Sequence, residues 1–177
     1  KGDLATVMKR LNQAWLLDPN RSEVFSGFGW VLGLQKDYQG AIEMYTKAIE
    51  LKPSFEDAYF NRAQNYLKLK KYDEAITDFT KTISINPKAA DAYNGRGYVY
   101  YLAYQGEDDT DKALADFAKA IELDPKNPMA YYNRANIYFM NKEYDKIWAA
   151  ILTMKSLSIP IDPQLIDRLK KVSSKEK

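Results

Sequence analysis

Four asparagines (Asn61, Asn94, Asn133, Asn136) and three arginines (Arg62, Arg96, Arg134) recur at spacings that could do chemistry. A side-chain amide both donates and accepts, so a spaced set of amides can pair with an extended backbone. The arginines stand in Asn-Arg-Ala or Gly-Arg-Gly contexts and suggest a ladder for anions. A simpler expectation is an aliphatic stem packed between helices, with each guanidinium bonded to a neighbouring helix. A third cluster, Glu107-Asp108-Asp109 with Asp111, is acidic enough to suggest calcium. It lacks the alternating ligands, turn glycine and distal Glu of an EF-hand loop. The expectation there is a solvated loop in which Asp109 or Thr110 caps the next helix, with no metal and no cofactor.

Catalytic chemistry has little to work with. The 177 residues include no cysteine and no histidine. That removes thiolate nucleophiles, disulfides and thiolate metal sites, the usual general base near neutral pH and the commonest metal ligand. Neither a phosphate-cradling glycine loop nor a nucleophile elbow is present, so an enzyme made of this chain alone is not expected. A net charge of +2 is too small to imply nucleic acid, and Lys and Arg form no dense run along one segment. The basic end from Arg168 to Lys177 includes Ser173, Ser174 and Glu176 and reads as a solvated tail. No apolar run approaches the ~18 residues expected of a membrane helix. The apolar fraction of 46 % allows an ordinary buried core.

The elements that must position these residues repeat. Tyr59 is matched by Phe25 and Tyr93, and Pro87 by Pro53 and Pro19, always at steps of 34. A fixed period of this length marks a helical solenoid. Residues 1–21 read as the second helix of a truncated unit, with Leu4, Leu11 and Trp15 on its apolar stripe. Whole units follow at 22–55, 56–89, 90–127 and 128–161. The third is four residues longer: Tyr66 to Tyr100 is still 34, whereas Ala75 to Ala113 is 38. That places an insertion at 105–110, between the two helices of the unit. In the fourth unit Ile147 and Met154 replace smaller residues. Asp162-Pro163 then opens a capping helix over 162–172, ahead of a tail at 173–177.

The residues Tyr59, Ala63, Tyr66, Ala75, Phe79, Thr82 and Pro87 resemble the tetratricopeptide repeat pattern. Tyr93, Gly97, Tyr100, Ala113, Phe117, Ala120 and Pro125 do so again one unit later. The resemblance covers 22–161, with half a unit before it. It implies an all-α fold, a right-handed α-solenoid (superhelix) of antiparallel helix pairs. Small residues at Gly29, Ala63, Gly97 and Ala135 would let the two helices of a unit approach closely. Most of the 14 tyrosines are then packing residues.

The resemblance also implies a concave groove lined by the first helices, at the second, fifth, sixth and ninth positions of each unit. These include Trp30; Asp57, Phe60, Asn61 and Gln64; Asp91, Asn94 and Tyr98; and Tyr132, Asn133 and Asn136. Large aromatics of this kind occur at binding hot spots. Glu23, Asp57 and Asp91 would favour a neutral or basic ligand. The family's carboxylate clamp for acidic chaperone tails needs basic residues at set groove positions. Those positions hold Ser26, Trp30, Asn61, Asp91 and Gly95 in one register, and Phe60, Gln64, Gly95, Met129 and Asn133 in the other, so that ligand is not expected. The expected function is a non-catalytic scaffold holding a partner's extended peptide or helix in the groove. Two alternatives stay open: self-association through the truncated edge around Leu4, Leu11 and Trp15, and service as the partner-presenting domain of a larger enzyme or complex. The compartment is left open.

Overall fold

The structure is a computed structural model that describes residues 3–103 and 106–173. The described residues form ten α-helices and no strand. After α1 (Leu4–Leu17), first and second helices alternate: α2 (Ser22–Leu34) with α3 (Tyr38–Leu51), then α4 (Glu56–Lys68) with α5 (Tyr72–Ile85). The series continues with α6 (Ala90–Ala103) and α7 (Glu107–Leu123), α8 (Pro128–Met140) and α9 (Tyr144–Ser156), and closes on α10 (Pro163–Ser173). Each helix from α1 to α8 packs on the next, and the first helices α2, α4, α6 and α8 also touch one another in series. The result is an all-α solenoid of helix pairs. No described helix is long and apolar enough to cross a membrane.

One large side chain per second helix fills the centre of each pair. Tyr45, Phe79, Phe117 and Ile151 occupy equivalent positions and are almost wholly buried. Gly29 faces the Tyr45 ring, and a Cβ there would stand 2.9 Å from it; at Gly97 a Cβ would press on Phe117 and on the Ala113 carbonyl at 3.0–3.1 Å. Ala63 and Ala135 are the corresponding small residues and are likewise buried. Close helix approach therefore depends on these side chains being absent or minimal.

The turns inside the units are tight. Lys36, Lys70 and Lys142 follow α2, α4 and α8 with φ of 67°, 58° and 58°. The amide after each lysine donates back to the carbonyl five residues earlier, as Asp37 N does to Leu32 O. This is the left-handed helix ending usually taken by glycine. The third unit differs. α7 has 17 residues where α5 has 14, because it starts at Glu107, three residues before the position equivalent to Tyr72. Much of the insertion is thus helical. Gly106 stands at the N-cap, and Asp109 and Thr110 lie inside the helix instead of capping it. The Thr110 hydroxyl donates to Gly106 O, and Asp109 pairs with Lys112 at 3.0 Å. Gln105, where the insertion was placed to begin, lies outside the described residues, as do Ser174 to Lys177.

α10 packs its apolar face on the fourth unit. Leu169 is fully buried with Ala135, Ile147 and Ile151, and Leu165 and Ile166 pack against them. Asp162 Oδ1 accepts from Gln164 N at 2.9 Å, and Arg168 lies 4.5 Å over the Phe139 ring.

Candidate functional site

The first helices line a trough made of two neighbouring hollows. One, of about 290 Å³, lies between α2 and α4 and is walled by Trp30, Leu34, Asn61, Gln64 and Lys68. The next, of about 370 Å³, lies between α4 and α6 and is walled by Phe60, Gln64, Lys68, Asp91 and Asn94. Gln64 and Lys68 border both, so α4 forms a shared ridge.

The side chains on this surface are held differently. Trp30 is 49 % exposed, a large ring with little to cover it. Phe60 is half-buried and meets Phe79 edge-on, with centroids 5.8 Å apart. Tyr98 leans on Tyr101 at 6.4 Å. Asn61 Nδ2 donates to Asp57 O in its own helix at 2.8 Å, a bond that uses the amide nitrogen and not the acceptor oxygen. Asn136 is exposed.

The fourth unit is less open. Asn133 is 7 % exposed and donates to Asn94 Oδ1 at 3.0 Å, so these two amides bond each other across α8 and α6. The Tyr132 hydroxyl donates to Pro160 O and accepts from Asp162 N. The segment before α10 thus occupies the polar end of Tyr132, and the two hollows lie across α2, α4 and α6. The sixth position also varies. Asn61 and Asn133 carry amides there, whereas a Cβ at Gly27 would meet Leu11 and one at Gly95 would meet Phe79. At the glycines, a side chain from the preceding second helix forms the floor.

Charge divides the trough along its width. At the N-terminal ends of the first helices a hollow of about 240 Å³ gathers Glu56, Asp57, Asp91 and Asp124. Glu23 continues this rim. A hydrogen bond from its own backbone amide holds its carboxyl below the usual range, with Ser22, Lys52 and Arg21 adding to the effect. Asp91 is tied to Asn127 at 3.0 Å. Lys68 stands at the opposite, C-terminal end of α4. The repeat positions chosen from sequence end at the ninth residue of a unit and so pass over Lys68, the thirteenth. One further turn of the same helical face would have found it.

The arginines resolve into two kinds. Arg62 grips Asp78 through Nε and Nη2 at 2.7 and 2.9 Å and donates from Nη1 to Thr46 at 2.9 Å. Burial opposes its charge, but the hydrogen bonds and charge of Asp78 outweigh that and raise its pKa. Arg96 repeats the arrangement with Asp116, at 2.8 Å for both bonds, and with Thr80 at 3.1 Å. Its pKa is raised first by the Asp116 hydrogen bond. Arg134 breaks the series: it stacks between Tyr131 and Tyr138, and its buried Nε has no hydrogen-bond partner among the described residues. The expected bond to a neighbouring helix is therefore present at Arg62 and Arg96 but missing at the Arg134 Nε. No acidic group able to hold a metal forms among the described residues.

Comparison with known proteins follows the same lines. A family model described as "Tetratricopeptide repeat" matches residues 56–89, and a second, "TPR repeat", matches 29–70 and 105–142. The Arabidopsis OM64 TPR domain is 30 % identical, covering 67 % of this chain and 95 % of that one, with a TM-score of 0.63. A structure of MamA superposes with a TM-score of 0.76 over 89 % of this chain and 92 % of that one, at 22 % identity, a likeness of fold. The first TPR of Spaghetti (RPAP3), bound to the HSP90 peptide SRMEEVD, gives 0.65 at 26 % identity over 71 % and 96 % of the two chains. No curated protein matches the sequence.

Proposed function

Because the chain belongs to the tetratricopeptide repeat family, whose fold supports protein–protein interaction, we propose that it is a non-catalytic scaffold that holds an extended peptide across α2, α4 and α6. The observation that carries this reading is the pair of adjoining hollows sharing Gln64 and Lys68. An extended chain advances about 3.3 Å per residue with side chains alternating, so a few residues reach from one hollow to the next. Trp30 and Phe60 supply stiff apolar surface, while Asn61 and Gln64 supply acceptors and donors for the ligand backbone. The acidic rim of Asp57 and Asp91 would meet a basic or N-terminal portion of the ligand, and Lys68 an acidic or C-terminal one. Tyr98, Tyr132, Asn133, Asn94 and Asn136 extend the proposed site toward the fourth unit, where Asn94 and Asn133 act mainly through each other.

The RPAP3 neighbour is bound to the HSP90 peptide SRMEEVD, whose EEVD end carries three acidic side chains. In this chain Lys68 is the one cation among the described residues walling the two hollows, which fits a single carboxylate better than an acidic run. A peptide array that includes SRMEEVD, followed by calorimetry on the selected peptides, tests the proposal. Peptides selected by the wild type should lose at least about tenfold affinity with Trp30→Ala, a hot-spot loss. They should weaken further in Asn61→Ala/Asn133→Ala. Equal binding by all three proteins would remove the groove as the site.

A second reading rests on one observation. Trp15, Leu16 and Leu17 at the end of α1 are 42 %, 74 % and 88 % exposed, an apolar patch suited to another copy of the chain. Light scattering at two concentrations separates the readings: concentration-dependent association, abolished by Leu16→Ser/Leu17→Ser, would support assembly through this edge.

A further inference from the structure

The guanidinium of Arg134 is arranged like those of Arg62 and Arg96, but the chain supplies it with neither of their partners. Arg62 and Arg96 take a carboxylate from the second helix of their own unit, Asp78 or Asp116, 16 or 20 residues onward. Each takes a threonine hydroxyl from the preceding second helix, Thr46 or Thr80, 16 residues earlier. The positions equivalent to these hold Ala150 on α9 and Ala118 on α7. Ala150 is buried and Ala118 exposed, and the Arg96–Thr80 bond at the position equivalent to Ala118 is itself exposed, so the fork is approached from the Ala118 side, on second helices and not on the first helices that line the trough.

The fork itself is kept in place. Arg134 lies 5.8 and 5.9 Å from the Tyr131 and Tyr138 rings, as Arg62 lies 5.7 and 5.8 Å from Tyr59 and Tyr66. Its Nε is buried without a partner, a costly state for a charged donor. A second cation stands nearby, since Lys146 lies 5.2 Å from the Tyr138 ring while pairing with Glu143. In the first unit both members of the pair are apolar, Phe28 and Met44, so that unit dispenses with the interaction altogether. Only the fourth unit keeps the cation and deletes the anion.

We propose that Arg134 is a docking point for a carboxylate supplied from outside, an Asp or Glu side chain of a protein partner that approaches between α7 and α9. The two Nη groups at the end of the fork would donate to its two oxygens. The slot suits a carboxylate because an aspartate differs from Ala150 by that group alone. A single charged fork contributes specificity and register more than affinity. The site is separate from the trough, and a partner could use both at once.

Sodium acetate, compared with sodium chloride at matched ionic strength, is the probe. In the full chain the Arg134 Nε–Hε resonance should shift saturably with acetate and stay still with chloride. Ala150→Asp should satisfy the fork internally, raise Tm by roughly 2–4 °C and abolish the acetate response. Arg134→Lys keeps the charge but not the planar fork, and the Ala150 methyl resonance in that variant should no longer respond to acetate. An unmoved Hε in the wild type, or a response retained in either variant, overturns the site. Saturation by inorganic phosphate at lower concentration than acetate would reassign it to a phosphoryl group and overturn the carboxylate.

Discussion

The first and last described helices are packed in opposite ways. Apolar surface on a helix pair is covered only where another element stacks on it. At the C-terminal end α10 lies across α8 and α9, and Leu169 is as buried as any central side chain. At the other end α1 buries none of its residues, and Leu16 and Leu17 face outward. Leu11 reaches only the gap left by Gly27. Both helices are short and amphipathic, so amphipathicity alone does not make a cap. What differs is the surface offered beneath: Ile147 and Ile151 give α10 a broad apolar floor.

The largest test of this contrast is a matched pair of leucines. Leu169→Ala should lose about 2–5 kcal/mol in urea unfolding, whereas Leu16→Ala should stay within about 0.5 kcal/mol. Equal losses would mean that both ends are covered in solution. The interior supplies the next measurement. Asp78→Ala leaves Arg62 charged and largely buried, and should cost about 3 kcal/mol, a loss that Met44→Ala at the equivalent open-end position, where no charge is stranded, should not match for the same reason. Double substitution Arg62→Met/Asp78→Ala should recover much of that loss; no recovery would assign the cost to packing.

Alkali should also separate the ends. Burial pushes the Tyr45 hydroxyl up to about 12, while the equivalent residue beside the cap is Ile151, which does not titrate. The unfolded tyrosine ionises near 10. The folded state therefore keeps the proton longer, and its stabilisation is complete below pH 10 and lost as pH rises toward 12. Tyr45→Phe should flatten the decline in urea midpoint over that window. An unchanged slope would show that Tyr45 ionises freely in the fold. The smallest effect concerns the turns. Lys70→Gly relieves a left-handed lysine and should stabilise by up to about 1 kcal/mol, with Lys142→Gly near the cap behaving alike. Thermal melts of the two variants would show whether the repeat is equally strained along its length.

Much of the fold was legible because the repeat is local. Aromatic and small residues at fixed steps of 34 specify paired helices wherever the step holds, and where the step is 38, at Ala113, α7 is three residues longer than α5. The form of that extra length was not legible. Acidic residues at Glu107 to Asp109 read as loop by polarity, yet carboxylates at the start of a helix are favoured by its dipole, and α7 begins among them. On the candidate site, the family resemblance implied Trp30, Phe60, Asn61 and Gln64, and these four border the two hollows. Lys68 was missed by stopping one turn early, and the Asn94–Asn133 bond spans 39 residues, beyond any local pattern.

The sequence by itself determined the all-α solenoid of helix pairs and the identity of the small and large packing positions. These depend on periods within one helix and on steps between equivalent residues, both of which are written along the chain. Only the tertiary structure decided which polar groups remain unanswered. Arg62, Arg96 and Arg134 look alike in their local contexts, and the difference between them lies in Asp78, Asp116 and Ala150 on another helix. Whether a guanidinium is paired or left with a bare donor depends on what packing brings beside it.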